Sequence, residues 1–372
     1  MRGSANLRAA VYRRQFSYWC LALFLFFCSS PAAAETAAAQ SPVLRVCSQN
    51  LHRFGDPEAA AKRKTGREQQ RALVRRMRQA SCDIVAVQEI YGESHREAKR
   101  NLSRIARALS KASGRQFAYF TGDSFDRYIR NGFLVAADVG WIVRRQDFLY
   151  HGLPKLQPLA PADNFIRGPL LLQIALSSAR VKGLSSPVNN VIVLTMHFKS
   201  KAESYKDASG TLFELLRMQM AAGLRDIVLR EQQKLRHDGV LIILGDRNSD
   251  EGSAATEILL GKRELKEFVV GGGCRINKQL EADCAGALYR APVLTGLLAR
   301  CREQGVPVCA GGSYRYKGQW SLIDEILVRT EDTALFMDNK GAVKAGFLGQ
   351  FAQGSDHRLL WAEMRLERGA VK

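Results

Sequence analysis

Val240-Leu-Ile-Ile-Leu244 is a short, unbroken apolar run that stops abruptly at Gly245-Asp-Arg-Asn248. A run of that length without alternation suits a strand buried on both faces, and such a strand needs a layer on each side of its sheet. The same grammar recurs along the chain. Val43 to Cys47 leads into Gln49-Asn50, Asp83 to Val87 into Gln88-Glu89, and Val191 to Leu194 into Thr195-Met-His197. Leu322 to Val328 carries Asp324 near its start, and Leu359 to Leu366 follows Gly354-Ser-Asp-His357. Phe117 to Phe120, Gly140 to Val143 and Leu170 to Leu176 complete the predicted strands. Glu58 to Ala80, Ser94 to Ala112 and a long part of Tyr205 to Arg236 predict helices inserted between them. No internal repeat and no long linker interrupts the pattern, so one α/β domain with two packed sheets is the economical reading.

The polar residues at the strand ends do not belong in a core. Singly, each has an ordinary explanation as a turn former, helix cap or satisfied histidine. Together they supply the parts of metal-assisted phosphoryl transfer. Glu, Asp and Asn oxygens are hard ligands suited to Mg2+, with Mn2+ or Ca2+ as alternatives. A carboxylate or imidazole activates water, and further His and Asn donors hold phosphate oxygens as negative charge builds. Asp246 and Asn248 are two apart, on one face of an extended segment. Asp356 and His357 are adjacent and need a turn to act together, which Gly354-Ser355 can form.

The first 34 residues read as an export signal. Arg2, Arg8, Arg13 and Arg14 precede the apolar run Tyr18 to Cys28, and Pro31-Ala-Ala-Ala34 offers small residues for cleavage. Residues 35–42 read as a flexible leader and 43–367 as the folded domain. The run is too short to span a bilayer, which takes about 20 apolar residues, so an N-terminal anchor is the lesser reading. Sec and Tat routes both stay open. A soluble, exported, periplasmic or extracellular monomer is expected, with no stable membrane span in the mature chain. The formal net charge is +19, and removing the four signal arginines leaves +15. A field of that sign attracts polyanions such as nucleic acid.

Four of the eight cysteines, Cys274, Cys284, Cys301 and Cys309, crowd into one segment, which suggests two disulfides in an oxidising compartment. Three pairings are open, with 274–284 and 301–309 preferred. Residues 271–312 therefore read as a stapled, Cys-rich insertion. Cys47 and Cys82, in strand-like runs, read as small buried residues.

In order, Cys47-Ser-Gln-Asn50, Val87-Gln-Glu89, Thr195-Met-His197, Gly245-Asp-Arg-Asn248, Leu322-Ile-Asp324 and Ser355-Asp-His357 resemble the motifs of the deoxyribonuclease-I-like endonuclease/exonuclease/phosphatase superfamily. The resemblance implies an α/β (α+β) four-layer sandwich, two mixed sheets face to face with helices outside. It also implies roles. Glu89 would be the main metal ligand, with Asn50 and Asp356 close by. His357 and Asp246 would orient or deprotonate water, and Asp324 would polarise His197 or His357. Asn248 and His197 would bind phosphate oxygens. Arg167-Gly-Pro169 resembles an Arg-x-Pro of nuclease members, in which the Arg contacts phosphate. His197-Phe-Lys-Ser-Lys201 is similar to a stretch of secreted bacterial nucleases and would set Lys199 beside the site.

Three positions depart from the family pattern. His52 stands where several members carry a carboxylate. Arg247 replaces a common Phe and would either touch phosphate or face solvent. Asp138 is only a loose candidate for a further acid. The expectation is an exported endonuclease cleaving DNA or RNA. The alternative is a phospholipase C/sphingomyelinase-type or sugar-phosphate phosphoesterase, for which Tyr314-Arg-Tyr316 and Trp320 are the only candidate exposed aromatic hairpin. A non-catalytic binding protein is disfavoured by the intact acidic and His set.

Overall fold

The computed structural model describes residues 42–368 except 59–60, 62–65, 156–161, 202–210, 236, 266–273, 277–281, 285–292, 317 and 350–353. The predicted signal segment and all but residue 42 of the leader lie outside the described residues.

The strands in chain order begin with β1 (Val43–Phe54), β2 (Ile84–Tyr91), β3 (Phe117–Thr121), β4 (Ile129–Ala136) and β5 (Gly140–Asp147). There follow β6 (Leu170–Leu176), β7 (Asn190–His197), β8 (Gly239–Asp246), β9 (Cys274–Ile276), β10 (Ala282–Cys284) and β11 (Leu294–Gly296). The last are β12 (Tyr314–Tyr316), β13 (Gln319–Ser321), β14 (Asp324–Arg329), β15 (Ala345–Leu348) and β16 (Leu359–Arg365). The α-helices are α1 (Gly66–Gln79), α2 (His95–Ser113), α3 (Ser178–Val181), α4 (Thr211–Lys234), α5 (Ala254–Leu260) and α6 (Leu297–Glu303). None among the described residues is long and apolar enough to cross a membrane.

Two six-stranded mixed sheets form, ordered β15-β16-β1-β2-β4-β3 and β11-β14-β8-β7-β6-β5. The pleat of β8 shows why its sequence is apolar throughout. Val240, Ile242 and Leu244 join the core cluster between the sheets, which also holds Val46, Val85 and Leu134. Leu241 and Ile243 point the other way, onto Leu224, Ile227 and Val228 of α4 and Ile258 of α5. On the first sheet, α1 buries Leu73 and Met77, and α2 buries Leu102, Ile105 and Leu109 at helical spacing. Ser94 caps α2 by accepting from the amide of Glu97 at 3.2 Å, and Gly114 closes it in the left-handed conformation. The result is the expected four-layer sandwich, helices–sheet–sheet–helices.

Several local expectations are revised. β4 carries Arg130, Asn131 and Gly132, which hide its strand character in sequence, yet it is buried along its whole length. Gly132 is required there because a Cβ would meet Phe120 O at 2.5 Å. Cys47 and Cys82 are not free thiols but a disulfide. Parallel pairing of β1 with β2 brings their Cα atoms to 5.9 Å, a proximity that a sequence separation of 35 conceals. Cys301 and Cys309 pair as preferred. Cys274 and Cys284 stand opposite each other in the β9–β10 ladder, but their side chains lie outside the described residues. Part of the expected insertion is integral to the domain, since β11 forms the edge of the second sheet.

Candidate active site

Topology explains why the polar motifs sit where they do. β1 and β2 run parallel, as do β7 and β8, so each pair ends its strands at one edge. β14 runs antiparallel to β8 and starts at that edge, with Asp324 opposite Asp246. β16 runs antiparallel to β1, so the turn before it returns His357 beside Asn50. Two sheets stacked face to face then bring all six motifs to one end of the sandwich.

The contacts bear this out. Asn50 Nδ2 donates to Glu89 Oε1 at 3.1 Å and crosses between the sheets to Asp246 Oδ2 at 3.3 Å. Its Oδ1 accepts the His52 amide at 2.9 Å, which fixes the amide's orientation. His357 Nδ1 donates to Asp324 Oδ2 at 2.7 Å. Its Nε2 stands 3.9 Å from Asp246 Oδ2 and 4.0 Å from Asp356 Oδ1. His197 Nε2 stands 3.9 Å from the same Asp246 oxygen and 4.0 Å from Glu89 Oε1. These separations are too long for direct hydrogen bonds and leave room for a bridging oxygen.

Backbone strain concentrates at this edge. Glu89 (φ 58°), Asn248 (φ 52°), His52 (φ 50°) and Arg53 (φ 54°) all adopt the left-handed region without being glycine. Such conformations cost about 1–3 kcal/mol each and persist where the surroundings over-determine them, commonly at functional sites. The β1–β2 register slips between Asn50 and Phe54 and the β2–β4 register between Val87 and Ile90, so bulges re-aim the side chains of Asn50 and Glu89. Gly245 has φ 144°, and a Cβ there would lie 2.0 Å from Met196 O.

The electrostatics follow from burial and like charge. Burial, then the neighbouring Asp324, push the Asp246 carboxyl up to about 7. For His357, burial works against the charged form, but Asp324, Asp246 and Asp356 together raise it to about 10, so it is imidazolium at neutral pH. Burial holds His197 well below its ordinary value, helped by Arg167, His357 and Lys199, so it is neutral. Asp356 falls below the carboxylate range because the hydrogen bond from His52 and the charge of His357 overcome its desolvation.

A hard divalent cation fits this donor set. Ligand atoms of Asp246, Asp324 and His357 lie within 4.8 Å of one another. The His357–Asp324 hydrogen bond occupies two of those groups, whereas Glu89 and Asp356 remain partly open to solvent. A cation held mainly by carboxylates and water would relieve the repulsion that drives Asp246 upward.

The remaining predicted residues are placed as follows. Arg167 is buried beside Asn248, and both donate to Phe198 O, at 3.0 and 3.1 Å. The Lys199 ammonium lies 3.8 Å from the centre of the Phe213 ring, close enough to His197 to lower its pKa. Lys201 pairs with Asp250 at 2.7 Å. His52 is at the site, its Nδ1 3.0 Å from Asp356. Arg247 neither touches the opening nor faces solvent. It is buried and bonds Ser249 O and Leu322 O, with Glu325 at 3.6 Å. Asp138 is bound by Arg115 and Arg180 with Asp83, at the opposite end of β2 from Glu89, so it is not an acid of the site. Trp320 is 38 % exposed, with the Arg358 and Arg315 guanidinium carbons 4.1 and 5.8 Å from its ring centre.

Sequence reasoning missed the residues that hold His357. Ser355 Oγ donates to Asn50 O at 2.8 Å and accepts the His357 amide at 3.0 Å. Arg76 Nη1 donates to His357 O at 2.9 Å, the Tyr314 ring lies 4.8 Å from the imidazole, and Ser313 Oγ accepts the Asp324 amide at 3.0 Å. Only Ser355 lay inside a recognised motif. The others reach the site from α1 and the β12 region; Tyr314 stood out in sequence only as part of an aromatic hairpin, and nothing local ties any of them to His357.

A sequence profile described as "Endonuclease/Exonuclease/phosphatase family" matches residues 47–357. By sequence alone no curated protein matches. Among solved structures, that of ANGEL2, a 2',3'-cyclic phosphatase, is similar with TM-score 0.56 and 13% identity, covering 89% of this chain and 97% of that one. A family protein from Bacteroides thetaiotaomicron gives TM-score 0.52 and 14% identity over 87% and 95% of the two chains. One from Leptotrichia buccalis C-1013-b gives 0.52 and 14% over 86% and 99%. At such identities the likeness speaks to the fold.

Proposed function

This chain belongs to the endonuclease/exonuclease/phosphatase family, and on that premise we propose that it is a divalent-metal-dependent phosphodiesterase, an exported nuclease cleaving DNA or RNA. The carrying observation is the ring of Glu89, Asp246, His197 and His357, whose facing polar atoms stand 3.9–4.0 Å apart around Asp246 Oδ2. That spacing suits a phosphate oxygen or attacking water in the gap.

In this reading Glu89 and Asp356 hold the cation, with Asn50 hydrogen-bonded between Glu89 and Asp246. The cation, Mg2+ being the expected ion, supplies charge stabilisation to the phosphoryl group. Asp246 Oδ2 accepts the proton of the attacking water. The new P–O bond forms as the ester P–O bond opposite breaks, the leaving oxygen takes up a proton from solvent, and Asp246 later returns its own to solvent. His357, kept charged by Asp324, donates from Nε2 to a phosphate oxygen. Neutral His197 and Asn248 add donors, and Arg167 and Lys199 bring positive charge to the substrate backbone. The +15 charge of the expected mature chain supports a polyanionic substrate. Trp320, the aromatic on which the lipid reading leaned, is flanked by the Arg358 and Arg315 guanidinium groups.

The test uses purified mature protein and Glu89→Ala with plasmid DNA, RNA and sphingomyelin, in Mg2+ and in chelator. Cleavage of polynucleotide that needs metal and is lost in the variant supports the proposal. Sphingomyelin hydrolysis without polynucleotide cleavage overturns the nuclease reading and keeps the phosphodiesterase one.

A further inference from the structure

We infer that Phe125 and Tyr150 form a stacking subsite for an unpaired nucleobase next to the phosphate that Arg167 holds, an inference that rests on the nuclease reading above. Both rings are out in solvent, at 54% and 77% exposure, yet they pack edge to face with centroids 5.4 Å apart. Packed on each other, the two rings make one contiguous exposed apolar patch rather than scattered single residues, and contiguous patches mark contact surfaces.

Their location is fixed by hydrogen bonds. Ser124 bridges to Arg167, and the amides of Phe125 and Asp126 both donate to Ile166 O, at 2.8 and 3.2 Å. Asp126 accepts the amides of Tyr128 and Ile129 with one oxygen and Arg167 Nε with the other. On the second segment, the amide of Phe148 donates to Pro169 O at 2.9 Å. Asp147 ties the two segments together by accepting the amides of Asp123 at 2.6 Å and Leu149 at 2.9 Å. The aromatic pair is thus braced on both sides of Arg167-Gly-Pro169, with little ordering left to do on binding.

The chemistry of the occupant follows from the neighbours. Tyr91 and Tyr128 stack at 6.0 Å, with the single guanidinium carbon of Arg53 5.8 and 5.5 Å from their ring centres and that of Arg127 5.2 Å from Tyr128. Tyr91 is two residues from Glu89. Tyr91 is buried and backs the half-exposed Tyr128, so the surface between Glu89 and Phe125 offers one further ring flanked by the exposed Arg53 and Arg127, a mix of ring and guanidinium suited to a base beside a phosphate. The exposed ring faces call for a base whose own face is free, as in single-stranded nucleic acid. Asp123 and Arg127 set charge of both signs within two residues of Phe125.

The test compares wild type with Phe125→Ala/Tyr150→Ala on a fluorescent single-stranded oligonucleotide and on the same strand made abasic around the scissile phosphate. The expected result is KM raised about tenfold on the ordinary strand, with kcat unchanged and no effect on the abasic strand. An unchanged KM, or an equal rise on both strands, overturns the subsite while leaving the nuclease reading intact. Wild type that cleaves neither strand overturns the nuclease reading itself. Loss of phosphatidylcholine-vesicle binding with unchanged oligonucleotide kinetics overturns the subsite in favour of a membrane contact. Should the alanine variant fail to fold, Phe125→Leu/Tyr150→Leu keeps apolar bulk without a ring face and gives the same reading.

Discussion

Replacing Arg247 by methionine tests whether the loop that carries Asp246 and Asn248 is held by a buried charge rather than by contact with substrate. Arg247 donates to Ser249 O at 2.8 Å and Leu322 O at 2.7 Å, and faces Glu325 at 3.6 Å. Glu325 is fully buried and also accepts the amides of Leu298, Ala299 and Ile326, so it caps α6, whose own N-cap position is the side-chain-less Gly296. Methionine keeps the aliphatic stem but strands the Glu325 charge. Removing one partner of a buried pair costs about 3–5 kcal/mol, and about 4 kcal/mol in a domain this size is roughly 6 °C of Tm.

The penalty has a pH signature. Burial raises the Glu325 carboxyl above its ordinary range, opposed by Arg247 and the three amides. Without Arg247 it rises further. A carboxyl with a raised folded-state pKa takes up a proton on folding, so its charge weakens the fold progressively as pH rises above the unfolded value. Urea unfolding of Arg247→Met should therefore show a smaller deficit at pH 4 than at pH 8. Adding Glu325→Gln should recover about 2 kcal/mol at pH 8 by removing the unpaired charge. Equal deficits at both pH values, or no recovery in the double variant, would refute the reasoning.

Other outcomes are expected. Asp324→Asn should lower kcat about 100-fold or more with KM little changed in steady-state assays, because His357 loses the charge that keeps it protonated. Loss of the Cys47–Cys82 bridge should cost about 4 kcal/mol and of Cys301–Cys309 about 2.5 kcal/mol in chemical denaturation, since the first closes the longer loop. Although desolvation opposes it, the Asp138 carboxyl is held low by Arg180 and Arg115, so its contribution is present above the ordinary carboxylate range and lost as pH falls. For this half-exposed cluster, Asp138→Asn should cost under about 1 kcal/mol at pH 7 and nothing near pH 2, read from thermal melts.

Much of the site was legible because the motifs are strand ends. Asn50, Glu89, His197, Asp246, Asp324 and His357 each interrupt or border an apolar run, and a polar residue there is visible in one dimension. Arg247 was misread because its neighbours in sequence, Asp246 and Asn248, belong to the site while its partners Leu322 and Glu325 lie just before and within β14. β4 was missed because Arg130 and Asn131 find buried acceptors, Gly92 O and Gly168 O, that only the fold supplies.

The sequence by itself determined the layers and the inventory of chemistry. Apolar periodicity is a local property, and a strand apolar on both faces must be covered on both. The tertiary structure alone decided which acid meets which base. Antiparallel pairing sets Asp324 opposite Asp246, the stacking of two sheets brings Asn50 to Asp246, and the turn before β16 hands His357 to Asp324. Charge states were decided there too. Asp246 is pushed up by burial and by Asp324, and His357 is held protonated against its burial chiefly by Asp324, 33 positions away, and by Asp246 on another sheet, and Coulomb interactions depend on distance in space rather than on separation in sequence.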